Sequence, residues 1–324
     1  MTDRSLQSPV PSWDVPPEAA GIRLDKFLAA PDRLGSRGRA ADALAKGKVF
    51  VNDAEAGGAE AARRLAAGDV VRVWLDRPGS ARPRASSRAG ELPILFEDKS
   101  LIVVNKPAGL LAVPLAGRSG AASAYDCLEG HLRPGGRRRP LVVHRIDRDT
   151  SGLVVFAKDP RAQRALKEQF RRRTPERVYW AVVHGHPSPE QGAWRDRLVW
   201  DAEALLQKRA HPDEAKGKAA ISHYRVLESL SGASLVEIRL ETGKRNQIRV
   251  QARLHGHTLV GERLYVGRGG APEPPIAFPR QALHAYRLSF RHPVDGRPLT
   301  FEAPLPGDLA VLVARLRAAA RARI

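Results

Sequence analysis

Two apolar runs, separated by a short and densely charged segment, constrain this chain more than any other feature. The runs are Leu141 to Val143 and Leu153 to Ala157, and HRIDRDTSG lies between them. Apolar runs of this length with polar boundaries predict two buried strands joined by a charged connection. Asp147 lies between Arg145 and Arg148, and we expect these positive charges to keep its carboxylate ionised. An ionised aspartate at the end of a strand can act as a nucleophile or a base, but an ion-pair network that caps a strand would show the same pattern.

The charge balance indicates the kind of partner. The 324 residues include 54 Lys and Arg but 35 Asp and Glu, which gives a formal net charge of +19. Such a positive field favours a polyanionic partner such as nucleic acid, although an arginine-rich surface without a ligand is the alternative. The hydrophobic fraction of 43% and the length of the chain are sufficient for two domains with buried cores.

Cysteine, histidine and hydropathy patterns argue against several classes of protein. Cys127 is the only cysteine, so we expect no disulfide framework and no multi-cysteine metal site. The two HGH sequences hold histidines too close together for a zinc site and lack an obvious third ligand. No run approaches the roughly 20 apolar residues of a spanning helix, and no signal-peptide pattern opens the chain. We therefore expect a protein of the reducing cytoplasm, with no metal and no membrane partner. The sequence does not indicate an oligomeric state, and a monomer is the default expectation.

Shifts in composition divide the chain into four segments. The first is rich in proline and polar residues and predicts a disordered tail. The third is rich in Pro, Gly, Ser and Arg and predicts a linker. The predicted boundaries are 1–20 for the tail, 21–76 for a small α/β domain, 77–90 for the linker and 91–324 for the larger domain.

The larger domain carries strand and helix signals without an internal repeat. A helix is predicted after Asp159-Pro160, because aspartate is a good N-cap and proline suits the first helical turn. The polar segment 207–219 predicts a loop, and the segment 261–281, rich in glycine and proline, predicts irregular structure. Strands are predicted near 92–98, 101–106, 153–157, 177–183, 234–240 and 283–290, and a last helix over 309–320.

Four segments of this domain closely resemble the motifs of the RluA-type pseudouridine synthases. HRIDRDTSG followed by LVVFAK resembles the active-site motif of that family, and VVNKPAGLLAVP, RVYWAVVHG and TGKRNQIRV resemble three further motifs. The resemblance covers nearly the whole chain from Ile22 onward. It implies an α+β domain with a mainly antiparallel mixed sheet. It also implies an isomerase that converts uridine in structured RNA to pseudouridine and needs neither a cofactor nor a metal.

The resemblance implies a catalytic centre built from three separate segments. Asp147 falls on the position of the family's catalytic aspartate, and would either attack the anomeric carbon of the ribose or remove a proton from its 2′ carbon. Tyr179 would act as the general base that takes the surplus proton from carbon 5 of uracil. Arg249 would keep the aspartate ionised and oriented through a bidentate contact. From the residues alone, Tyr179 is equally a half-buried strand tyrosine and Arg249 a helix-surface arginine.

The same resemblance implies further contacts with RNA. The target uridine would be flipped out of its stack, at a cost of about a few kcal/mol, and Arg145 would fill the vacated space. Asn246 and Gln251 stand where histidine is common in the family. We expect these departures to affect contacts with the base and the RNA backbone, but not the partner of the aspartate. The predicted substrate-binding residues are Arg145, His144, Thr150, Lys106, Lys244 and Gln247, of which Lys106 is also expected to shape the wall under the site.

The small N-terminal domain resembles the S-four RNA-binding domain. The segments that carry this resemblance are RLDKFLA, SRGRAADALAKGKVFVN and GDVVRV. Such a domain would position RNA through its phosphates and perform no chemistry. A basic helical hairpin without a ligand is the alternative. The residues that the resemblance places on the phosphate-contacting face are Arg37, Arg39, Lys46 and Lys48.

Two other functions compete with the isomerase. Asp147 and Asp149 could bind magnesium in a nuclease, but the neighbouring arginines oppose a dication and no further acidic cluster supplies ligands. The chain could also be an RNA-binding ribosome-assembly factor without catalysis, which the chemically intact catalytic positions argue against. We therefore favour a pseudouridine synthase for structured RNA, with large-subunit ribosomal RNA as the first candidate and transfer RNA as the second.

Overall fold

The structure of the protein, a computed structural model, describes residues 10–75, 92–114, 122–132, 139–266 and 276–322. The described residues form two compact units. The smaller unit contains residues 10–75 and 200–206, and the larger unit contains the others. The segment 77–90, predicted to be a linker, lies outside the described residues.

The smaller unit packs two short helices against a four-stranded antiparallel sheet with the strand order β1-β4-β2-β3. Helix α2 begins after Ser36, whose hydroxyl caps the helix by accepting a hydrogen bond from the amide of Arg39 at 3.2 Å. Apolar residues from both helices and the strands form one buried core. The elements are β1 Ser12–Asp14, α1 Leu24–Leu28, α2 Arg37–Ala45, β2 Val49–Val51, β3 Ala54–Ala56 and β4 Val70–Val73.

The prediction of a disordered tail over residues 1–20 is wrong for its second half. Ser12–Asp14 form the edge strand β1, which pairs with β4, and Pro17–Ala19 form a single 3-10 turn. Val15 is buried at 1% exposure, so this segment gains apolar contacts that its polar neighbours do not suggest. Proline is tolerated beside an edge strand and in the first turn of a helix. Residues 1–9 lie outside the described part.

The larger unit is built on one mixed sheet with the order β11-β10-β12-β13-β9-β14-β8-β6-β5. From β10 to β5 in this order, neighbouring strands are antiparallel except β14 and β8, which are parallel. Strand β15 extends it beside β14, and β7 pairs with β8. The bounds are β5 Ile94–Glu97, β6 Leu101–Lys106, β7 Leu141–Val142, β8 Ser151–Ala157, β9 Glu176–His184, β10 Gln191–Asp201, β11 Leu206–Arg209, β12 Lys218–Leu230, β13 Ala233–Leu240, β14 Leu283–Arg291 and β15 Pro298–Glu302.

Helices cover both faces of this sheet, because alternate residues of its central strands are buried on opposite sides. On β8, Leu153 and Val155 pack with helix α4, whereas Val154 and Phe156 pack with helix α3. Further along the sheet, α6 covers one face and α5 the other. The four helices are α3 Ala124–Leu132, α4 Pro160–Arg172, α5 Gln247–Leu254 and α6 Gly307–Arg321.

The parallel contact between β8 and β14 depends on Gly152. Its φ is +112°, and a Cβ atom there would lie 2.3 Å from the carbonyl oxygen of Ala285. Only glycine combines this backbone conformation with such a close approach. The glycine of the central motif therefore lets the strand that follows Asp147 join the sheet.

The segment 207–219 is not a continuous loop as predicted. Its first residues belong to β11, and Lys218 begins β12. Both strands lie towards one edge of the sheet, where β12 alternates between buried and exposed residues. Polar side chains are compatible with strands in such positions, because one face contacts solvent.

Candidate active site

Asp147 lies in the connection between β7 and β8, and the backbone that follows it is anchored by two buried cations. The Lys106 ammonium donates to the carbonyl of Arg148 at 2.8 Å, and the Arg280 guanidinium donates to the carbonyl of Asp149 at 3.0 Å. The amide of Gly109 also donates to the Arg148 carbonyl, at 2.9 Å. These contacts come from distant parts of the chain, so the tertiary structure determines where the carboxylate points.

Two side chains that precede or lie on α5 donate to the Asp147 carboxylate. Nη1 of Arg249 lies 3.2 Å from Oδ2. The side-chain amide of Asn246 lies 3.0 Å from both carboxylate oxygens and from the Tyr265 hydroxyl, and we assign its nitrogen to the side of the carboxylate, where it donates to both oxygens while its oxygen accepts from Tyr265. This orientation matches each donor with an acceptor. The Asp147 side chain is 30% exposed, so one side of the carboxylate is held by the protein while the other can face a substrate.

Arg249 makes its bidentate contact with Glu262, and the prediction of a bidentate contact with Asp147 is wrong. Nε and Nη2 each lie 2.7 Å from an oxygen of Glu262. A guanidinium presents its donors along fixed edges, and here the edge with Nε faces the glutamate. A single nitrogen is left for Asp147. The fork therefore fixes the arginine, and the arginine in turn orients the aspartate.

Charge stabilises this pair inside the protein. Burial works to lower the pKa of Arg249, but the charge and hydrogen bonds of Glu262, together with Asp147, raise this pKa well above its usual value. Burial works to raise the pKa of Glu262, but Arg249 and two backbone amides lower it to about 2. Both groups therefore stay charged at neutral pH.

Glu262 and Asn246 are partners of Arg249 and Asp147 that sequence reasoning missed. Glu262 lies in the segment predicted to be irregular, and Asn246 was expected to leave the partner of the aspartate unaffected. Asn246 adopts a left-handed conformation with φ 53° immediately before α5, which asparagine tolerates better than most residues. The contact with Asp147 corrects that expectation, because the residue at 246 is itself a partner of the aspartate.

Tyr179 lies on β9 beside the site, and its side chain packs with the apolar residues near α3 and α5. Burial raises the pKa of Tyr179, the charge of Arg177 opposes this, and the charge of Asp147 adds to it. The phenol therefore carries its proton at neutral pH. Such a group can accept a proton only if it passes on its own, which makes the predicted role of a simple general base less favourable.

Four of the predicted substrate-binding residues have hydrogen-bond partners within the protein, and three of them are buried. Lys106 donates to three carbonyls at 2.7–2.8 Å. Burial lowers the pKa of Lys106 to about 7, although the charges of Asp149 and Asp147 act to raise it. The three carbonyls that accept hydrogen bonds from the ammonium favour its charged form. Thr150 is 2% exposed and contacts Gln281. Gln247 is 3% exposed and has four hydrogen-bond contacts within the protein.

His144 is the fourth of these residues. Its ring stacks on Phe170 at 4.6 Å, and its Nε2 accepts a hydrogen bond from the amide of Val155 at 3.1 Å. Burial, with a contribution from Arg177, lowers the pKa of His144 to about 3. This neutral histidine therefore accepts a hydrogen bond from an amide of β8. Its contact with substrate stays a prediction.

The other predicted RNA-contacting residues differ in how freely they can meet a ligand. Arg145 is exposed, and Lys244 is partly exposed. In the smaller unit, Arg37 and Arg39 are exposed on α2. Lys46 is paired with Asp42 at 2.8 Å, and Lys48 donates to the carbonyl of Leu75.

Within the described ranges, no group of three or more histidine, cysteine, aspartate or glutamate side chains could hold a metal ion. No helix in the same part of the chain is long and apolar enough to cross a membrane.

Comparison with known proteins gives consistent matches. The profile of the family described as RNA pseudouridylate synthase matches residues 100–254. A protein of Zymomonas mobilis called ribosomal large subunit pseudouridine synthase D is 38% identical, over 91% of this chain and 94% of that protein. A Pseudomonas aeruginosa protein of the same name is 35% identical, over 94% of this chain and 95% of its own. A Bacillus subtilis protein, the uncharacterized RNA pseudouridine synthase YlyB, is 36% identical, over 93% and 96%.

A solved structure shows the same fold. Human RNA pseudouridylate synthase domain containing 4 superposes with a TM-score of 0.58 and 24% identity, over 69% of this chain and 93% of that one. The mixed α+β architecture with its mainly antiparallel sheet is therefore confirmed.

Proposed function

This chain belongs to the RNA pseudouridylate synthase family, whose enzymes isomerise uridine in RNA, and we propose that its substrate is the RNA of the large ribosomal subunit. Two observations support this substrate. Relatives that match along almost the whole chain carry the name ribosomal large subunit pseudouridine synthase D. The net charge of +19 suits a large polyanion, because each phosphate contact releases counterions and strengthens binding. We expect a monomer that acts in the cytoplasm.

Asp147 is the proposed catalytic residue, and its geometry is the observation that carries the mechanism. The carboxylate is held by Arg249 and Asn246 on one side and is open on the other. An oxygen of this carboxylate would either form a bond to the anomeric carbon or take a proton from the 2′ carbon. In both routes the bond from the anomeric carbon to N1 of uracil breaks, and the electron pair leaves with uracil. Since the carboxylate is pre-oriented, little reorganisation is needed when charge moves.

Tyr179 would act later in the reaction. Uracil rotates and its carbon 5 forms a bond to the anomeric carbon. In the first route the bond between Asp147 and the anomeric carbon breaks in this step, and in the second route Asp147 returns its proton to the 2′ carbon. Carbon 5 then carries one proton too many, and N1 takes up a proton from solvent when carbon 5 loses its own. The neutral phenol of Tyr179 would accept this proton on its oxygen while its own proton passes to another acceptor, such as water. A raised pKa of the phenol favours this concerted exchange over a free phenolate.

RNA positioning would involve exposed cations in both units. Arg145 is exposed next to the catalytic connection and would fill the stack that the flipped uridine leaves. In the smaller unit, over residues 21–76, Arg37 and Arg39 would contact phosphates. Lys46 and Lys48 already have protein partners and would contribute less.

The experiment that tests this function compares wild type with Asp147→Asn and Asp149→Asn. Pseudouridines are mapped across total RNA by carbodiimide-stop sequencing in cells that lack the gene and in cells complemented with each variant. Sites should return with wild type and with Asp149→Asn, but not with Asp147→Asn. Purified Asp147→Asn should still bind ribosomal RNA, because it retains the shape and the other partners of the site.

Each other outcome identifies a different function. A magnesium nuclease would require both aspartates, so loss of activity with Asp149→Asn as well would favour that alternative. If no pseudouridine depends on the gene, the enzyme assignment to cellular RNA fails and a role in ribosome assembly is favoured. Dependent sites confined to transfer RNA would replace the ribosomal substrate.

A further inference from the structure

Arg177 is a partly buried arginine without an anionic partner in the described part of the chain. Its Nε is buried and has no hydrogen-bond partner. Burial lowers the pKa of Arg177, Tyr179 opposes this, and the positive charge of Arg173 lowers it further. Three other arginines of the described residues are buried, and each lies near a carboxylate: Arg63 near Asp69 at 3.8 Å, Arg249 with Glu262 at 2.7 Å and Arg280 with Asp308 at 2.7 Å.

The position of this guanidinium depends on a glycine. A Cβ atom on residue 243 would lie 2.4 Å from Nη1 of Arg177. Gly243 does not have a positive φ, so its conformation alone does not require glycine. The missing side chain provides the space in which the tip of Arg177 lies. The structure thus accommodates an unpaired cation instead of excluding it.

Other cations lie near Arg177. Burial lowers the pKa of Lys244, and the positive charges of Arg173 and Lys218 lower it further. Lys244 directly follows Gly243, and Arg173 ends helix α4 in a left-handed conformation with φ 61°. Like charges repel one another, so an anion that binds between the members of this cluster would stabilise it.

We propose that Arg177, together with Lys244 and Arg173, binds a backbone phosphate of the RNA next to the target uridine. This proposal rests on the proposed function for the identity of the anion. The location supports it, because Arg177 lies two residues before Tyr179 on strand β9 and therefore on the same face of the sheet, and the charges of both Arg177 and Asp147 act on Tyr179. A guanidinium can hold a phosphate through two parallel hydrogen bonds. Such a contact would fix the sugar-phosphate backbone while the base leaves its stack.

Filter binding of a transcript of large-subunit ribosomal RNA tests this subsite. Affinity is measured between about 50 and 200 mM KCl for wild type, Arg177→Gln, Gly243→Ala and the double variant. Arg195→Gln is the matched control, because Arg195 is an exposed arginine on β10, which is three strands from β9 in the sheet. Asp147→Asn serves as the background for all variants, so that the RNA stays unmodified.

Arg177→Gln should weaken binding about ten- to a hundredfold, the range for a charge-assisted hydrogen bond. The slope of log affinity against log salt should become shallower by about 0.7–0.9, which corresponds to one phosphate. Gly243→Ala should weaken binding by displacing the guanidinium, and the double variant should be no weaker than Arg177→Gln alone. Arg195→Gln should leave affinity close to that of the background protein.

A thermal melt separates this role from a structural one. Removing an uncompensated cation should leave the melting temperature of Arg177→Gln unchanged or higher, whereas a structural arginine would lower it. An unchanged affinity and salt slope for Arg177→Gln would overturn the proposal, as would an equal effect of Arg195→Gln. A separate assay tests the proposed function itself, with a transcript whose uridines carry tritium at carbon 5. If wild type releases no tritium from this transcript, the proposed function fails, whatever the binding experiment shows.

Discussion

The substitution Glu262→Gln should destabilise the protein by about 3 kcal/mol at neutral pH. The pKa of Glu262 is lowered from 4.5 to about 2. This difference corresponds to about 3 kcal/mol, because each pKa unit is worth about 1.4 kcal/mol. Removing one partner of a buried ion pair costs about 3–5 kcal/mol in other proteins, which agrees with this value. Glutamine keeps the size of the side chain but places an amide donor against the donors of Arg249.

The stabilisation by Glu262 should decrease as pH falls. A carboxylate with a lowered folded-state pKa stabilises the protein fully above its unfolded value of about 4.5 and loses this contribution as pH falls towards 2. The difference between wild type and Glu262→Gln should therefore shrink to about 1 kcal/mol near pH 3. Urea unfolding at neutral pH and near pH 3 measures this difference in the free energy of unfolding. The melting temperature of Glu262→Gln at neutral pH should be about 6–12 °C below that of wild type.

A matched control is available on the surface. Glu302 pairs with Arg287 at 2.7 Å, but the two side chains are 48% and 33% exposed. Glu302→Gln should have little effect on stability, because solvent screens such pairs. If Glu262→Gln costs no more than this control, the argument that Glu262 holds Arg249 in place is refuted. The turnover number should also fall in Glu262→Gln, since Arg249 would orient Asp147 less well.

Two further substitutions test the surroundings of Asp147. Asn246→Gly keeps the left-handed backbone and removes only the amide that faces the carboxylate. Its turnover number in tritium release should fall about ten- to a hundredfold with little change in KM, and an unchanged turnover number would contradict the contact. The second substitution concerns His144, whose pKa is lowered to about 3 in the folded protein. As pH falls below about 6.5, His144 becomes protonated in the unfolded chain but not in the folded protein, so the stability of the folded protein decreases. Between about pH 7 and pH 5, the free energy of unfolding measured in urea should fall by about 2 kcal/mol less for His144→Gln than for wild type. An equal decrease in both proteins would contradict the lowered pKa of His144.

The local elements could be predicted from the sequence because their signals are local. The apolar run at 101–106 and the Asp159-Pro160 start of a helix depend on residues a few positions apart. Both correspond to observed elements, β6 and α4. The edge strand Ser12–Asp14 was missed, because its pairing partner lies about 60 residues away in β4 and prolines surround it.

The sequence by itself determined the family, the sheet-based α+β fold and the position of Asp147 between two strands, since these follow from contiguous motifs and apolar periodicity. The tertiary structure alone decided which side chains meet that aspartate. Arg249 lies 102 residues from Asp147, and its bidentate partner is Glu262, in a segment without a periodic signal. Burial similarly turned Lys106 and Gln247 towards carbonyls and amides of the protein, because buried polar groups must find hydrogen-bond partners. Chain neighbours set the backbone, whereas distant contacts set the partners of each charge.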